Sequence, residues 1–267
     1  MVDSRLQYFK PHRSKIEKTF AEEISSSLGS DSKFIMPKFF YDAKGSALFE
    51  KICGLSEYYP TRTEFSILKN LQDDLSCHVD GDCRLVELGS GTSVKTRLLL
   101  DVFERFERPI EYFPIDISNI LAESSEQLLA DYGSLHVTGI IDTYEGGLEF
   151  LKRFDQKRNL IIFLGSSYGN FMPGEGRDFL RKVHSTMKPG DLFLIGLDLV
   201  KDRGVLESAY NDLLGITAEF NLNVLSKIND ELDADFDLAN FEHKAACLLY
   251  TSPSPRDRTR SRMPSSA

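Results

Sequence analysis

Tryptophan is absent from this 267-residue sequence, and cysteine nearly so. The four cysteines (Cys53, Cys77, Cys83, Cys247) show no paired metal-ligand spacing. That excludes a zinc ribbon and gives no disulfide framework, which a chain of this length does not need. A reducing, cytoplasmic setting is expected. The five histidines (12, 78, 136, 184, 243) are scattered, so no metal is expected, and none pairs persuasively with a nucleophile. Long apolar runs are missing too. None approaches the ~18 residues of a membrane-spanning helix. The opening Met-Val-Asp-Ser-Arg-Leu-Gln-Tyr carries charge where a signal peptide needs an apolar stretch. Basic residues are the minority charge, 32 Lys and Arg against 41 Asp and Glu, for a net −9. Nucleic acid is a poor partner for such a surface, since phosphate binding needs clustered cations. What remains is 41% hydrophobic and 27% charged, the composition of a folded protein.

The last residues differ from the rest. Thr251 to Ala267 contains four Arg, three Pro and five Ser with no apolar periodicity, so a packed element is not expected. Residues 247–267 read either as a basic tail that binds something acidic or as non-native sequence resembling translated adapter. We expect a disordered, non-native segment.

Between them, strand and helix patterns alternate. Apolar runs at Arg84–Gly89, Ile110–Asp116, Leu135–Ile141, Leu160–Leu164 and Leu192–Leu197 read as strands. Helical spacings follow each of the first four, at Lys95–Phe106, from Ser118 as an N-cap, near Gly147–Phe154, and near Gly174–Met187. Five such strands predict an α/β fold, a doubly wound parallel sheet over residues 63–199. Residues 1–62 predict helices plus an aromatic loop, and 200–246 a mostly helical segment. The two are expected to meet as a partial, mostly helical cap over the ligand crevice.

The glycines of Glu87-Leu-Gly89-Ser-Gly91 close the first strand and open a helix. There the backbone can approach a ligand, and the helix N-terminus favours electron-rich groups. In an open α/β sheet this is the crevice for a nucleotide-like cofactor. A dinucleotide fingerprint needs a third glycine where Val94 stands, which disfavours a nicotinamide enzyme. Asp116, ending the second strand, can accept both hydroxyls of a ribose or cap a helix. Asp142 and Thr143 end the third strand and can read an adenine edge while Tyr144 packs on the ring. Lys95 can reach a cofactor carboxylate, or be a solvated charge. Gly165-Ser-Ser-Tyr-Gly-Asn170 follows the fourth strand. Asn170 can hold an amine without adding charge, or simply sit in a turn.

The acidic-x-Gly-x-Gly pattern resembles the first motif of S-adenosylmethionine-dependent methyltransferases. The likeness extends further. Phe40-Tyr-Asp-Ala-Lys-Gly-Ser-Ala-Leu-Phe-Glu50, Glu57-Tyr-Tyr-Pro-Thr-Arg-Thr-Glu64, Val86-Glu-Leu-Gly-Ser-Gly-Thr-Ser93, Phe163–Asn170, Asp198–Asp202 and Ala234–His243 stand in order. Together they resemble the histidine Nα-methyltransferases of ergothioneine biosynthesis over about residues 35–245. The resemblance implies a Rossmann-like fold. It also implies three methyl transfers from S-adenosylmethionine to the α-amine of L-histidine, giving hercynine. Gly89, Gly91, Lys95, Asp116, Asp142, Thr143 and Tyr144 would hold the cofactor. Tyr58, Gly165, Asn170 and Tyr210 would hold histidine, with Tyr41 and Asn170 at the reacting amine. Thr143 is a departure, since an aromatic more commonly follows the Asp directly.

Family chains continue past Phe-Glu-His243 with the Glu and Ser that recognise imidazole and with the last strands of the sheet. This chain is therefore expected to be C-terminally truncated, to bind histidine poorly, and to leave its last strand with an exposed edge. The partners expected are small molecules, with neither nucleic acid nor membrane, acting on a monomer. The same residues also fit a methyltransferase for another small amino acid or amine, or a cofactor-binding fragment without turnover.

Overall fold

A computed structural model describes residues 3–11, 18–91, 93–118, 120–154 and 157–247. The expected tail from residue 248 onward and His12 lie outside the described residues. In chain order the elements are β1 (Leu6–Phe9), α1 (Phe20–Leu28), α2 (Ala43–Cys53), α3 (Tyr59–Ser76), β2 (Arg84–Leu88), α4 (Val94–Glu104), β3 (Ile110–Asp116), α5 (Ile120–Asp131), β4 (Leu135–Ile141), α6 (Tyr144–Leu151), β5 (Asn159–Phe163), α7 (Pro173–Thr186), β6 (Leu192–Ile195), α8 (Arg203–Tyr210) and α9 (Ile216–Leu232). They divide into two compact units, one of described residues 3–11 and 63–199, the other of 18–62 and 200–247.

The first unit is built on a parallel sheet ordered β1-β4-β3-β2-β5-β6. The inner strands β2 and β5 are buried along their whole length, so the polar side chains they carry, Arg84, Glu87 and Asn159, are buried with the apolar ones. Side chains alternate between two faces. Leu85, Tyr112, Val137 and Leu160 pack with Leu99 and Phe103 of α4 and Leu128 of α5. Val86, Phe113, Ile140 and Ile161 pack with Leu148 of α6 and Phe179 of α7. Layers on both faces are the doubly wound arrangement the alternation predicted.

The strand count needs correction, because among the described residues six strands form the sheet and not five. The sixth, β1, comes from the amino-terminal segment read as helical, and pairs Leu6 with Val137 and Phe9 with Ile140. It is four residues long and only part-buried, so its sequence carries little periodicity. Its close approach depends on Gly139, where a Cβ would lie 2.6 Å from Cδ1 of Tyr8 and 2.7 Å from Cδ2 of Leu121. Gly139→Val should therefore destabilise the protein by roughly 1–3 kcal/mol through overpacking, read from urea unfolding midpoints. At the opposite edge, β6 pairs only with β5 among the described residues, and its Leu192–Ile195 side chains are half-buried. Ser118 is not the cap of α5, which begins at Ile120, and its own amide donates to Asp116 Oδ1 at 2.8 Å. α6 begins three residues earlier than its apolar spacing predicts, because Thr143 caps it.

The second unit joins segments from either side of the sheet region. Ile24, Val224, Leu225 and Ile228 form one cluster, and Ile52, Leu55, Tyr58 and Ala209 another. Asp42 ties the two segments together. Its Oδ1 accepts from Gly45 N at 2.6 Å, capping α2, and from Asn223 Nδ2 of α9 at 3.0 Å.

Candidate functional site

The sheet reverses its winding between β2 and β5, so a crevice opens beyond their carboxyl ends. After β2 the chain turns through Gly89 (φ 79°) and Gly91 (φ 49°), both in the left-handed region that glycine adopts without strain. The Gly89 amide donates to the Ile115 carbonyl at 2.9 Å, fixing the turn to β3. A Cβ on Gly89 would come within 3.0 Å of the Tyr144 hydroxyl, so this predicted pair adjoins. Ser90 is buried, and its hydroxyl has no hydrogen-bond partner among the described residues. An orphaned hydroxyl beside exposed glycine backbone fits a polar ligand, as a nucleoside cofactor would be.

Asp116 ends β3 part-buried, and its Oδ1 accepts from the Ser118 amide at 2.8 Å. Asp142 is buried and accepts from the Thr143 amide at 2.6 Å. Thr143 is an N-cap, with its hydroxyl accepting from Gly146 N at 3.3 Å. Capping thus accounts for the residue between Asp142 and the aromatic. Tyr144 packs edge-on against Phe163 and Phe179.

Sequence reasoning missed two carboxylates in this unit. Glu87 of β2 is fully buried and accepts from Tyr112 Oη at 2.6 Å and Thr96 Oγ1 at 2.7 Å. Glu64 of α3 accepts from the Gly165 amide with both oxygens, at 2.8 and 3.0 Å, and pairs with Lys95 Nζ. A Cβ on Gly196 would lie 1.9 Å from Glu64 Oε1, so only glycine fits there. Both acids stand inside motifs quoted for the family likeness, which was the available signal.

The loop after β5 is held at three points. Gly165 (φ 79°) donates to Glu64, Ser166 Oγ accepts from Asp198 N at 2.9 Å, and Ser167 Oγ donates to Leu164 O at 3.0 Å. These ties position Asn170, which ends a short 3₁₀ turn, is exposed, and has no side-chain hydrogen bond among the described residues. Lys95 and Gly165 lie close, since a Cβ on Gly165 would be 3.7 Å from Lys95 Nζ.

In the other unit, Tyr58 is buried and meets the Tyr210 ring edge-on at 5.7 Å between centroids. Burial, with the neighbouring Tyr210 phenol adding to it, pushes the Tyr58 hydroxyl far above the ordinary phenol range. Tyr41 packs against Phe49 and Phe220 at 5.4 and 5.6 Å. It leaves 41% of its surface exposed, yet desolvation in that aromatic crowd pushes its phenol up to about 12. Arg62, not singled out from sequence, braces the turn carrying Tyr58. It donates to the carbonyls of Leu55 at 2.6 Å, Ser56 at 2.7 Å and Tyr58 at 3.1 Å. His243 is a structural tie, donating from Nε2 to the Tyr210 carbonyl at 2.7 Å and accepting from Asn221 Nδ2 at 3.1 Å.

Among the described residues no group of three or more His, Cys, Asp or Glu has metal-binding geometry, and no helix is long and apolar enough to cross a membrane.

Known proteins resemble this chain over most of its length. A family described as "Histidine-specific methyltransferase, SAM-dependent" matches residues 20–253. The histidine N-alpha-methyltransferase of Mycolicibacterium smegmatis is 42% identical over 224 residues, covering 84% of this chain and 69% of that protein. Ergothioneine biosynthesis protein 1 of Neurospora crassa is 34% identical over 192 residues, 71% of this chain and 22% of the fungal protein. The 4-dimethylallyltryptophan N-methyltransferase of Arthroderma benhamiae is 27% identical over 179 residues, 65% of this chain and 52% of that protein. The chain belongs to the histidine-specific, S-adenosylmethionine-dependent methyltransferase family.

Proposed function

We propose that this protein methylates the α-amine of L-histidine, in three successive transfers that yield hercynine for ergothioneine synthesis. The observation that carries this reading is the glycine-lined crevice at the switch between β2 and β5, in a chain 42% identical to a histidine N-alpha-methyltransferase. S-adenosylmethionine supplies, when bound, a methyl group on a sulfonium open to in-line attack by a neutral amine.

The side chains have distinct tasks in this proposal. Gly89 and Gly91 give the cofactor close access to backbone, Asp116 takes the ribose hydroxyls, and Asp142 with Tyr144 flanks the adenine. Thr143 serves that loop as the cap of α6. Lys95 takes the cofactor carboxylate. Tyr58, Gly165 and Tyr210 hold histidine. Asn170 accepts a hydrogen bond from its amine, and Tyr41 offers a second orienting contact. The raised Tyr41 phenol keeps its proton across the neutral range, so it orients the amine as a hydroxyl and not as a phenolate base. The amine proton leaves through water. Positioning of this kind can supply several kcal/mol of the barrier, on the order seen for oriented reactants.

Mass spectrometry of histidine incubated with the protein and S-adenosylmethionine tests the reading. The expected products carry one, two and finally three methyl groups on the α-nitrogen and none on the imidazole. Faster turnover of another amino acid would reassign the substrate, the direction in which the tryptophan-derived substrate named for the Arthroderma relative points. Asn170→Ala should lower kcat roughly 100-fold while cofactor affinity stays within about twofold. Unchanged kcat would remove Asn170 from the reacting centre.

A further inference from the structure

We propose that Glu64 and Lys95 form one receptor for the amino-acid end of the cofactor, in which Glu64 takes the ammonium. The inference rests on the S-adenosylmethionine reading above. Opposite charges stand side by side at the crevice, Lys95 in the first turn of α4 and Glu64 against the amide that follows β5. An α-amino acid presents the same two charges on one carbon, in the complementary order. The receptor is accessible, with the Glu64 and Lys95 side chains 15% and 25% exposed. Space beside Gly165 is open, since a Cβ there would meet nothing closer than Ser167 Oγ at 3.4 Å. A carboxylate offers about four acceptor directions, and Glu64 spends up to three on Gly165 N–H and Lys95.

Net charge gives a second reason. The cofactor, with sulfonium, ammonium and carboxylate, is a cation. A lone Lys95 would draw its carboxylate but repel the rest. Glu64 neutralises Lys95, so the site accepts a zwitterion attached to a positive sulfur without net repulsion. Anchoring both the Lys95 ammonium and the Gly165 amide, Glu64 also sets where the two loops stand relative to the bound tail.

Calorimetry with three ligands decides the matter: S-adenosylhomocysteine, its deaminated analogue, and methylthioadenosine, which lacks the amino-acid end. Wild type should bind S-adenosylhomocysteine at least tenfold more tightly than the deaminated analogue. Glu64→Gln should erase most of that preference and leave methylthioadenosine affinity unchanged, which also reports that the crevice is intact. Lys95→Met should weaken both carboxylate-bearing ligands about equally and spare methylthioadenosine. The proposal is overturned if Glu64→Gln weakens all three ligands alike, because Glu64 would then act only through the loop. It is equally overturned if wild type does not distinguish the first two ligands, a comparison that needs no variant. Failure of wild type to bind any of the three would instead remove the cofactor reading, and this proposal with it.

Discussion

Raising the pH from about 4.5 to about 7 should weaken folding by about 3 kcal/mol through Glu87 alone. Burial pushes this carboxyl up to about 7 from an ordinary 4.5. Hydrogen bonds from Tyr112 and Thr96 and the charge of Lys95 offset part of the rise, and the charge of Asp116 adds to it. Between those two pH values the folded protein holds a proton that the unfolded chain has released. Stability from this group is therefore whole below pH 4.5 and is lost as the pH climbs to 7. Above that, the ionised form stays buried at a standing cost. Other groups titrate over the same range, so the measurement is a difference. Urea unfolding of wild type and Glu87→Gln should show the variant gaining on wild type by about 3 kcal/mol across the window. Parallel pH profiles would mean that Glu87 ionises as freely folded as unfolded.

Removing Arg84 should cost about 3–5 kcal/mol, the range for breaking a buried charged network by deleting one partner. Its guanidinium donates to Glu111 Oε2 at 3.1 Å, the Phe154 carbonyl at 2.9 Å and Asn159 Oδ1 at 3.2 Å. It also stands over the Phe113 ring at 4.5 Å. These bonds tie the amino ends of β2, β3 and β5. Burial favours the protonated form of Glu111, but Lys157 and Arg84 together hold its carboxylate below the ordinary range. Arg84→Ala leaves the Asn159 oxygen and a backbone carbonyl unpaired and relaxes Glu111 upward. Arg84→Met, which keeps the apolar stem over Phe113, should lose less. A loss under about 1 kcal/mol for Arg84→Ala would place the network among ion pairs that add little.

How legible the molecule was depends on length and periodicity. β3 and β4 fall on the residues that the apolar runs marked, because a seven-residue buried strand writes a long pattern. β1 escaped because four part-buried residues write almost none. The glycines of the crevice were legible, since Gly89 and Gly165 are held at φ values that few other residues tolerate. Glu64 and Glu87 were not. Their roles depend on partners 31 and 25 residues away, Lys95 and Tyr112, and acidic residues elsewhere in the chain look the same on paper. Thr143 shows a related effect, because a hydroxyl that caps a helix and one that reads a base are the same group until its partner is known.

The pairing of Leu6 with Val137 also sets a schedule. Among the described strands β1 is made first, yet its hydrogen-bonding partner emerges about 130 residues later, roughly 7–26 s at ordinary synthesis rates. For that interval the ribosome holds out a short apolar ribbon with nowhere to dock. Its four residues and the charges at Asp3 and Arg5 keep it from being a strong template for another chain. β1 thus joins the sheet only after β4 has been made, and the nascent chain must wait for that strand before this edge can close.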